Sequence, residues 1–218
     1  DGTRTVRMTN VVATFGAGQG DPAMLAAHWD SRPRSEEDAH PEHRQQPTPG
    51  ANDGASGVAV LLEVARALHA APPPREVRLV LFDGEDWGET LETMFYGARD
   101  YVGRHRSSLP TWGILLDMVG DRDLHLPREA FSSRQARGLT DKVYATAQRL
   151  GYGSVFENRV GPDIFDDHLP FLDAGVPFVD LIDFDYGQWH TVHDLPAECS
   201  PRSLEIVGNV VLKMVSTR

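Results

Sequence analysis

Short apolar runs that alternate with stretches of helical periodicity constrain this chain more than any other feature. Residues 6–15, 24–27, Val77–Phe82, 113–118 and 177–182 read as strands, and those after the first are near-continuous in apolar side chains. Strands of that kind are buried on both faces, which requires a mostly parallel sheet with helices on either side. The helices lie between and after them. Ala55–Ala70 carries Val58, Leu61, Leu62, Ala65 and Leu68 on one face and stops at Pro72-Pro73-Pro74. Residues 140–150 form another, closed by Gly151 at the C′ position. Ser200 caps a last one, with Pro201 in its first turn and Leu204, Val207, Val211 and Met214 as its apolar stripe. The first strand ends at the turn Gly16-Ala17-Gly18-Gln19-Gly20 and is expected to pair antiparallel at one edge. Residues 32–49 are polar and proline-rich, and are expected to form a long surface loop. No repeat, low-complexity tract or linker divides the chain. Residues 1–218 are therefore expected to be a single three-layer α/β domain, with a mixed, mostly parallel sheet and helices on both faces.

Composition removes several function classes. The 218 residues carry 21 Lys and Arg against 32 Asp and Glu, a net charge of −11, with no basic patch. Such a field repels nucleic acid. No apolar run reaches the ~18–20 residues of a membrane span. No basic segment leads into an apolar one at the start, so no signal peptide is expected in this stretch. The single cysteine, Cys199, excludes an internal disulfide framework and a thiolate zinc site. What the negative field favours is a metal cation or a substrate carrying an amine.

Ligands of parallel sheets collect beyond the carboxyl ends of the strands, and the acids and histidines of this chain fall there. His28 and Asp30 follow the second run, Asp83, Glu85 and Asp86 the third, and Asp117 closes the fourth. Asp183 follows the last, with Trp189 and His190 a short loop later, while Asn52-Asp53 precede the Ala55 helix. Singly, each has an ordinary reading. Asp53 can be an N-cap, Glu85-Asp86 a solvated turn, His28 or His190 a satisfied histidine, Trp87 and Trp189 rim or core aromatics. Asp117 resists most, because an unpaired carboxylate buried at the end of an apolar strand costs several kcal/mol. Convergence of five segments on one sheet edge is the stronger explanation. Histidine and carboxylate donors without thiolate suit zinc in an open, catalytic site. Glu85, next to a ligand at Asp86, is placed to act as a general base. The dinucleotide fingerprint, the G-x-S-x-G elbow and the H-E-x-x-H helix are all missing.

The blocks HWDSR (28–32), GANDGASG (50–57), LFDGED (81–86), LLDMVGD (115–121), DDHLPFLDAGVP (166–177) and QWHTVHD (188–194) follow in an order that resembles the co-catalytic zinc aminopeptidases. Within that family the chain looks most like the glutaminyl-peptide cyclotransferase branch. The resemblance runs from about Asn10 to the last helix and implies a zinc-exopeptidase-like fold. In the cyclase branch it implies one zinc on Asp53, Asp86 and His190, with Glu85 as general base and acid. It further implies Asp117 and Asp166 as a hydrogen-bonded acidic pair beside Glu85, and Trp189 and Trp87 as walls of the substrate pocket. The substrate is then a peptide with N-terminal glutamine, cyclised to pyroglutamate with release of ammonia. In the peptidase branch it implies two metals and removal of N-terminal residues. His28, Asp53 and Asp86 hold one ion there; Asp53, Asp117 and His190 hold the other. Trp189 before His190, FDGE and DDHLPFL are nearer the cyclases, and NDGASG is nearer the peptidases. Asp86 stands where both branches more often have Glu. A secreted or periplasmic setting is also implied.

Overall fold

In the computed structural model, which describes residues 5–16 and 20–217, the strands are β1 (Val11–Phe15), β2 (Ala23–His28), β3 (Val77–Phe82), β4 (Trp112–Asp117), β5 (Leu126–Arg128), β6 (Phe156–Val160) and β7 (Phe178–Ile182). The helices are α1 (Ala55–Ala70), α2 (Tyr96–Arg104), α3 (Ala130–Gln135), α4 (Arg137–Arg149), α5 (Leu169–Asp173) and α6 (Pro201–Ser216). The main sheet runs β1-β3-β2-β4-β7, with β1 antiparallel to β3 and the other pairings parallel. This is the expected mixed sheet with its antiparallel edge. Residues 17–19 of the expected glycine turn lie outside the described residues. β2 and β7 bury every side chain, whereas β1 buries none. β2 is central and covered on both faces, and β7, although it ends the sheet, is covered by α3, α4, α5 and β5; β1 is the open edge and need not be apolar.

α1, α4 and α6 pack together over one face, and α2 pairs with α5 over the other. On the second face the core is aromatic: the Phe171 ring lies 5.9 Å from that of Phe82, 6.1 Å from Tyr101 and 4.4 Å from Phe178. On the first, α1 lies directly on the sheet. A Cβ at Gly57 would overlap the Leu116 carbonyl, so glycine here sets how closely the helix approaches β4.

The structure departs from expectation in three places. The opening strand begins only at Val11. The short helices α2, α3 and α5 and the separate β5-β6 pair had no periodic signal. Residues 32–49 are not simply a surface loop, because Arg32, Ser35, Asp38 and Thr48 are buried. Asp38 accepts from the amides of His40 at 2.8 Å and Val192 at 3.2 Å, and Thr48 N donates to the Arg32 carbonyl at 3.0 Å. With its polar groups satisfied in this way, an irregular segment can be buried. It folds over the strand ends where the site lies. No described helix is long and apolar enough to cross a membrane.

Candidate active site

Because β2, β3, β4 and β7 run parallel, their carboxyl ends share one edge, and His28 and Asp117 are the last residues of β2 and β4. Asp53 joins them from the start of α1 without capping it: the N-cap is Gly54, with no side-chain cap. Asp53 Oδ1 lies 3.0 Å from His28 Nε2, and its Oδ2 lies 3.5 Å from His190 Nε2. His28 Nε2 is also 3.1 Å from Asp117 Oδ1, and His190 Nε2 is 3.3 Å from Asp86 Oδ1. Asp53 thus stands between two histidine–carboxylate pairs. A Cβ at Gly54 would overlap the His28 imidazole, which is why glycine follows Asp53.

An outer layer of acids holds this arrangement. Asp194 accepts from the amides of Asn52 at 2.8 Å and Asp53 at 3.1 Å, and from the Tyr186 hydroxyl at 2.8 Å. Asp30 accepts from the amides of Glu85 at 3.2 Å and Asp86 at 3.1 Å. Arg32 Nη1 donates to the carbonyls of Asp86 at 2.9 Å and Gly88 at 2.7 Å. Glu36 Oε1 accepts from Arg32 Nε at 2.8 Å and lies 3.4 Å from His190 Nδ1. A carboxylate on one ring nitrogen directs the other, Nε2, at the cluster. Met118 and His190 have left-handed φ values of 46° and 51°. Such backbone costs on the order of 1–3 kcal/mol per residue and concentrates at functional sites.

Like charges are crowded here. Burial, then the charge of Asp86, pushes the Asp53 carboxyl up to about 7. Burial and Asp86 also raise Glu85 well above the usual carboxylate range. Asp86 itself is held low, because His190, His28 and Arg32 outweigh its burial. Its Oδ2 is buried with no hydrogen-bond partner among the described residues. Ligand atoms of His28, Asp53 and Asp86 lie within 4.8 Å of one another. A divalent cation relieves such crowding, and imidazole and carboxylate donors are its usual ligands. The residues present fit a metal.

The cluster opens into a cavity of about 300 Å³. Its polar surface includes Asp53, Glu85, Asp86, Asp117, Asp166 and His190, with Arg32 and Glu36 also on the lining; Met118, Ile164, Phe165, Ile182, Phe184 and Trp189 are among its apolar walls. The Trp189 ring stacks on His190 with centroids 4.0 Å apart and lies 5.0 Å from Phe184. His28 sits behind the polar surface, 1% exposed.

Two expectations change. Trp87 is exposed and lines no part of this cavity. Arg32 grips the carbonyls on either side of it, Asp86 and Gly88, which leaves the indole toward solvent. Asp117 and Asp166 line the same cavity without a hydrogen bond to each other, since the Asp117 bond goes to His28 and Asp166 Oδ1 accepts from the Asp167 amide. The expected set of His28, Asp53 and Asp86 does lie within reach of one ion, while the shortest contacts pair His28 with Asp117 and His190 with Asp86 around Asp53. Asp30, Arg32, Glu36, Asp194, Phe184 and Met118 were not singled out for roles. Arg32 and Asp194 lie in motif blocks next to ligand candidates, which was a usable signal. Glu36, in a polar segment, had none.

Behind Asp166 lies a second buried group, of which Glu129 lines a separate cavity of about 240 Å³. Glu129 caps α3, accepting from Phe131 N at 2.7 Å and Ser132 N at 2.6 Å, and also from Ile164 N at 3.2 Å. His168 lies between it and Asp180, with Nε2 3.4 Å from Glu129 Oε2 and Nδ1 3.7 Å from Asp180 Oδ2. Glu129 is lowered to about 2, as His168 and the amides outweigh burial. Asp180 moves the other way, pushed well up by burial and then by the charge of Asp166.

The motif resemblance is matched by comparison with known proteins. The model of Peptidase family M28 matches residues 10–215. The aminopeptidase YwaD of Bacillus subtilis is 28% identical over 89% of this chain, which spans 40% of that protein. A solved Zn-dependent exopeptidase from Parabacteroides distasonis superposes with a TM-score of 0.90 at 32% identity, covering 97% of this chain and 78% of its own. A solved glutaminyl cyclase from Bacteroides thetaiotaomicron superposes with a TM-score of 0.91 at 31% identity, over 97% and 78%. The metal-ready sheet edge lies within the stretch that the family model matches, and over residues 10–215 this chain belongs to peptidase family M28.

Proposed function

We propose that the chain is a zinc-dependent glutaminyl-peptide cyclotransferase domain, which converts N-terminal glutamine to pyroglutamate and releases ammonia. The observation that carries this reading is the cavity of about 300 Å³ walled by Trp189 stacked on His190, with Phe184 and Met118 beside it. A glutamine side chain folded back on its own amine fits such a pocket, whereas an extended peptide needs an open groove. The likeness to a bacterial glutaminyl cyclase supports it.

Asp53, Asp86 and His190 would hold the zinc, whose chemistry when bound is to polarise the carbonyl of the substrate's side-chain amide. The remaining work falls to the chain. Trp189, Phe184 and Met118 pack the substrate methylenes and keep amine and amide carbon within reach of each other. Glu85 takes a proton from the α-amine as its nitrogen bonds to the amide carbon. When the carbon–NH2 bond breaks, the same carboxyl returns the proton and ammonia leaves. Asp117 and Asp166 face the departing nitrogen, and burial, then the charge of Asp117, holds Asp166 well above the usual carboxylate range. The nucleophile is already tethered, so orientation and charge stabilisation matter more than activation of water.

One observation favours a second reading. His28 and Asp117, 3.1 Å apart beside Asp53, are further ligands that a two-metal aminopeptidase would use. Ammonia release from Gln-peptides, measured beside amine release from Leu-arylamides and with metal counted, decides between them. The cyclase reading expects ammonia, intact Leu-arylamide and one tightly held zinc. Leu-arylamide cleavage with two ions and no ammonia would replace it with the aminopeptidase.

A further inference from the structure

A second constellation of metal-binding side chains lies outside the cavity. Asp38, His43 and His193 each offer a ligand atom, all within 4.8 Å of one another. None of the three lines the cavity. Asp38 is 1% exposed, an unusual place for a carboxylate on an irregular segment. Its Oδ1 lies 3.2 Å from His43 Nδ1, and its Oδ2 accepts from Val192 N at 3.2 Å. The His43 ring lies 6.3 Å from that of exposed His193, and His40 lies 5.3 Å from His43 on the other side. The buried carboxylate anchors the group, and the imidazoles stand at the surface where an ion can reach them.

We propose that Asp38, His43 and His193 bind a divalent transition metal such as zinc, nickel or copper, separately from the ion of the cavity. Two imidazoles and one carboxylate form a three-ligand set with an open position, which water completes. That donor set favours zinc, nickel and copper over magnesium or calcium, which take oxygen ligands. The placement also gives the ion a consequence. His43 and Asp38 belong to the segment that carries Arg32 and Glu36, and His193 belongs to the one that carries Trp189 and His190. The two segments touch through Glu37 N donating to the His190 carbonyl at 3.2 Å, and through the Asp38–Val192 bond. An ion on Asp38, His43 and His193 clips them together and stiffens one wall of the cavity.

The test compares the wild-type protein with the double variant His43→Gln/His193→Gln, both with the cavity ligands intact. Equilibrium dialysis against Zn2+ alone, followed by metal counting, should show the variant binding one equivalent fewer, whatever number the cavity takes. Zn2+ should also raise the Tm of the wild type by several degrees more than that of the variant, because binding to the folded state alone shifts unfolding. Equal zinc counts and equal Tm shifts would overturn the site. The comparison stands apart from the cyclase reading, since a protein that releases no ammonia from Gln-peptides would still show or lack this difference. Both histidines are at or near the surface, and far-ultraviolet circular dichroism of the variant should match the wild type.

Discussion

Two groups of buried acids and histidines lie side by side in this molecule and meet the same electrostatic cost in opposite ways. On the sheet edge, His28, Asp53, Asp86, Asp117 and His190 converge on a cavity, each carboxylate beside a histidine, with Asp86 Oδ2 left unsatisfied. Behind them, Glu129, His168 and Asp180 are 0–2% exposed and line no part of that cavity. There, backbone amides stabilise one carboxylate, Glu129, and burial drives the other, Asp180, toward its neutral form. Access makes the difference. The sheet-edge group lines a cavity that a cation can enter. Glu129 is balanced instead by amides, and Asp180, whose two oxygens have no hydrogen-bond partner among the described residues, by a proton.

The largest effect expected from this contrast is loss of metal. His190→Ala, or Asp86→Ala, should abolish both zinc binding and turnover while the fold survives, and Asp180→Asn should leave zinc content unchanged. Metal analysis of the three proteins checks it; full zinc in His190→Ala would remove that residue from the ligand set. Next comes Glu85→Gln, which keeps size but cannot accept the amine's proton. Turnover should fall by ~10²-fold or more with zinc retained, and near-normal turnover would move the proton transfer to Asp117 or Asp166. A smaller loss is expected for Trp189→Ala, about 10-fold in Gln-peptide cyclisation through lost packing and orientation. An unchanged rate there would detach the aromatic wall from substrate binding.

The smallest effects lie in the second group and concern stability. Glu129→Gln should cost on the order of 2 kcal/mol at neutral pH, as hydrogen bonds to a charged acceptor do. Because the folded-state pKa of Glu129 is lowered to about 2, its contribution is complete above the unfolded value and is lost as pH falls toward that figure. The Gln variant should therefore lose less stability than the wild type on acidification. Asp180→Asn, replacing a carboxyl already pushed toward neutrality, should change urea stability at pH 7 by less than about 1 kcal/mol. A large loss there, and none for Glu129→Gln, would reverse the comparison.

How far the sequence could be read depended on the range of each signal. α1 and α6 announce themselves by apolar periodicity, although the buried stripe of α1 runs through Val60, Leu61, Val64 and Leu68 and leaves Leu62 of the expected one exposed. The strands after the first are apolar enough to announce burial on both faces. α2, α3 and α5 are short, and β6, Phe-Glu-Asn-Arg-Val, is mostly exposed, so neither a helical nor a strand period was there to find. Asp53, Asp86, Asp117 and His190 could be picked out because strand ends of a parallel sheet share an edge. Glu36 could not, because a polar residue in a proline-rich segment looks solvated until the fold lays that segment over the site. Trp87 shows the converse error: its neighbours are Glu85 and Asp86, yet its side chain faces solvent.

By itself, then, the order of apolar and periodic stretches determined a covered parallel sheet, and with it the edge on which His28, Asp53, Asp86, Asp117 and His190 had to meet. Those are local properties, written in windows of a few residues. Which histidine faces which carboxylate, which oxygen is left unsatisfied and which aromatic walls the cavity were decided only in three dimensions. Asp53 and His190 are far apart along the chain and 3.5 Å apart in space, and no local pattern records a distance of that kind. The same holds for Asp38, His43 and His193: nothing in the sequence brings them together, and the contact exists only because a buried, irregular segment crosses the loop after β7.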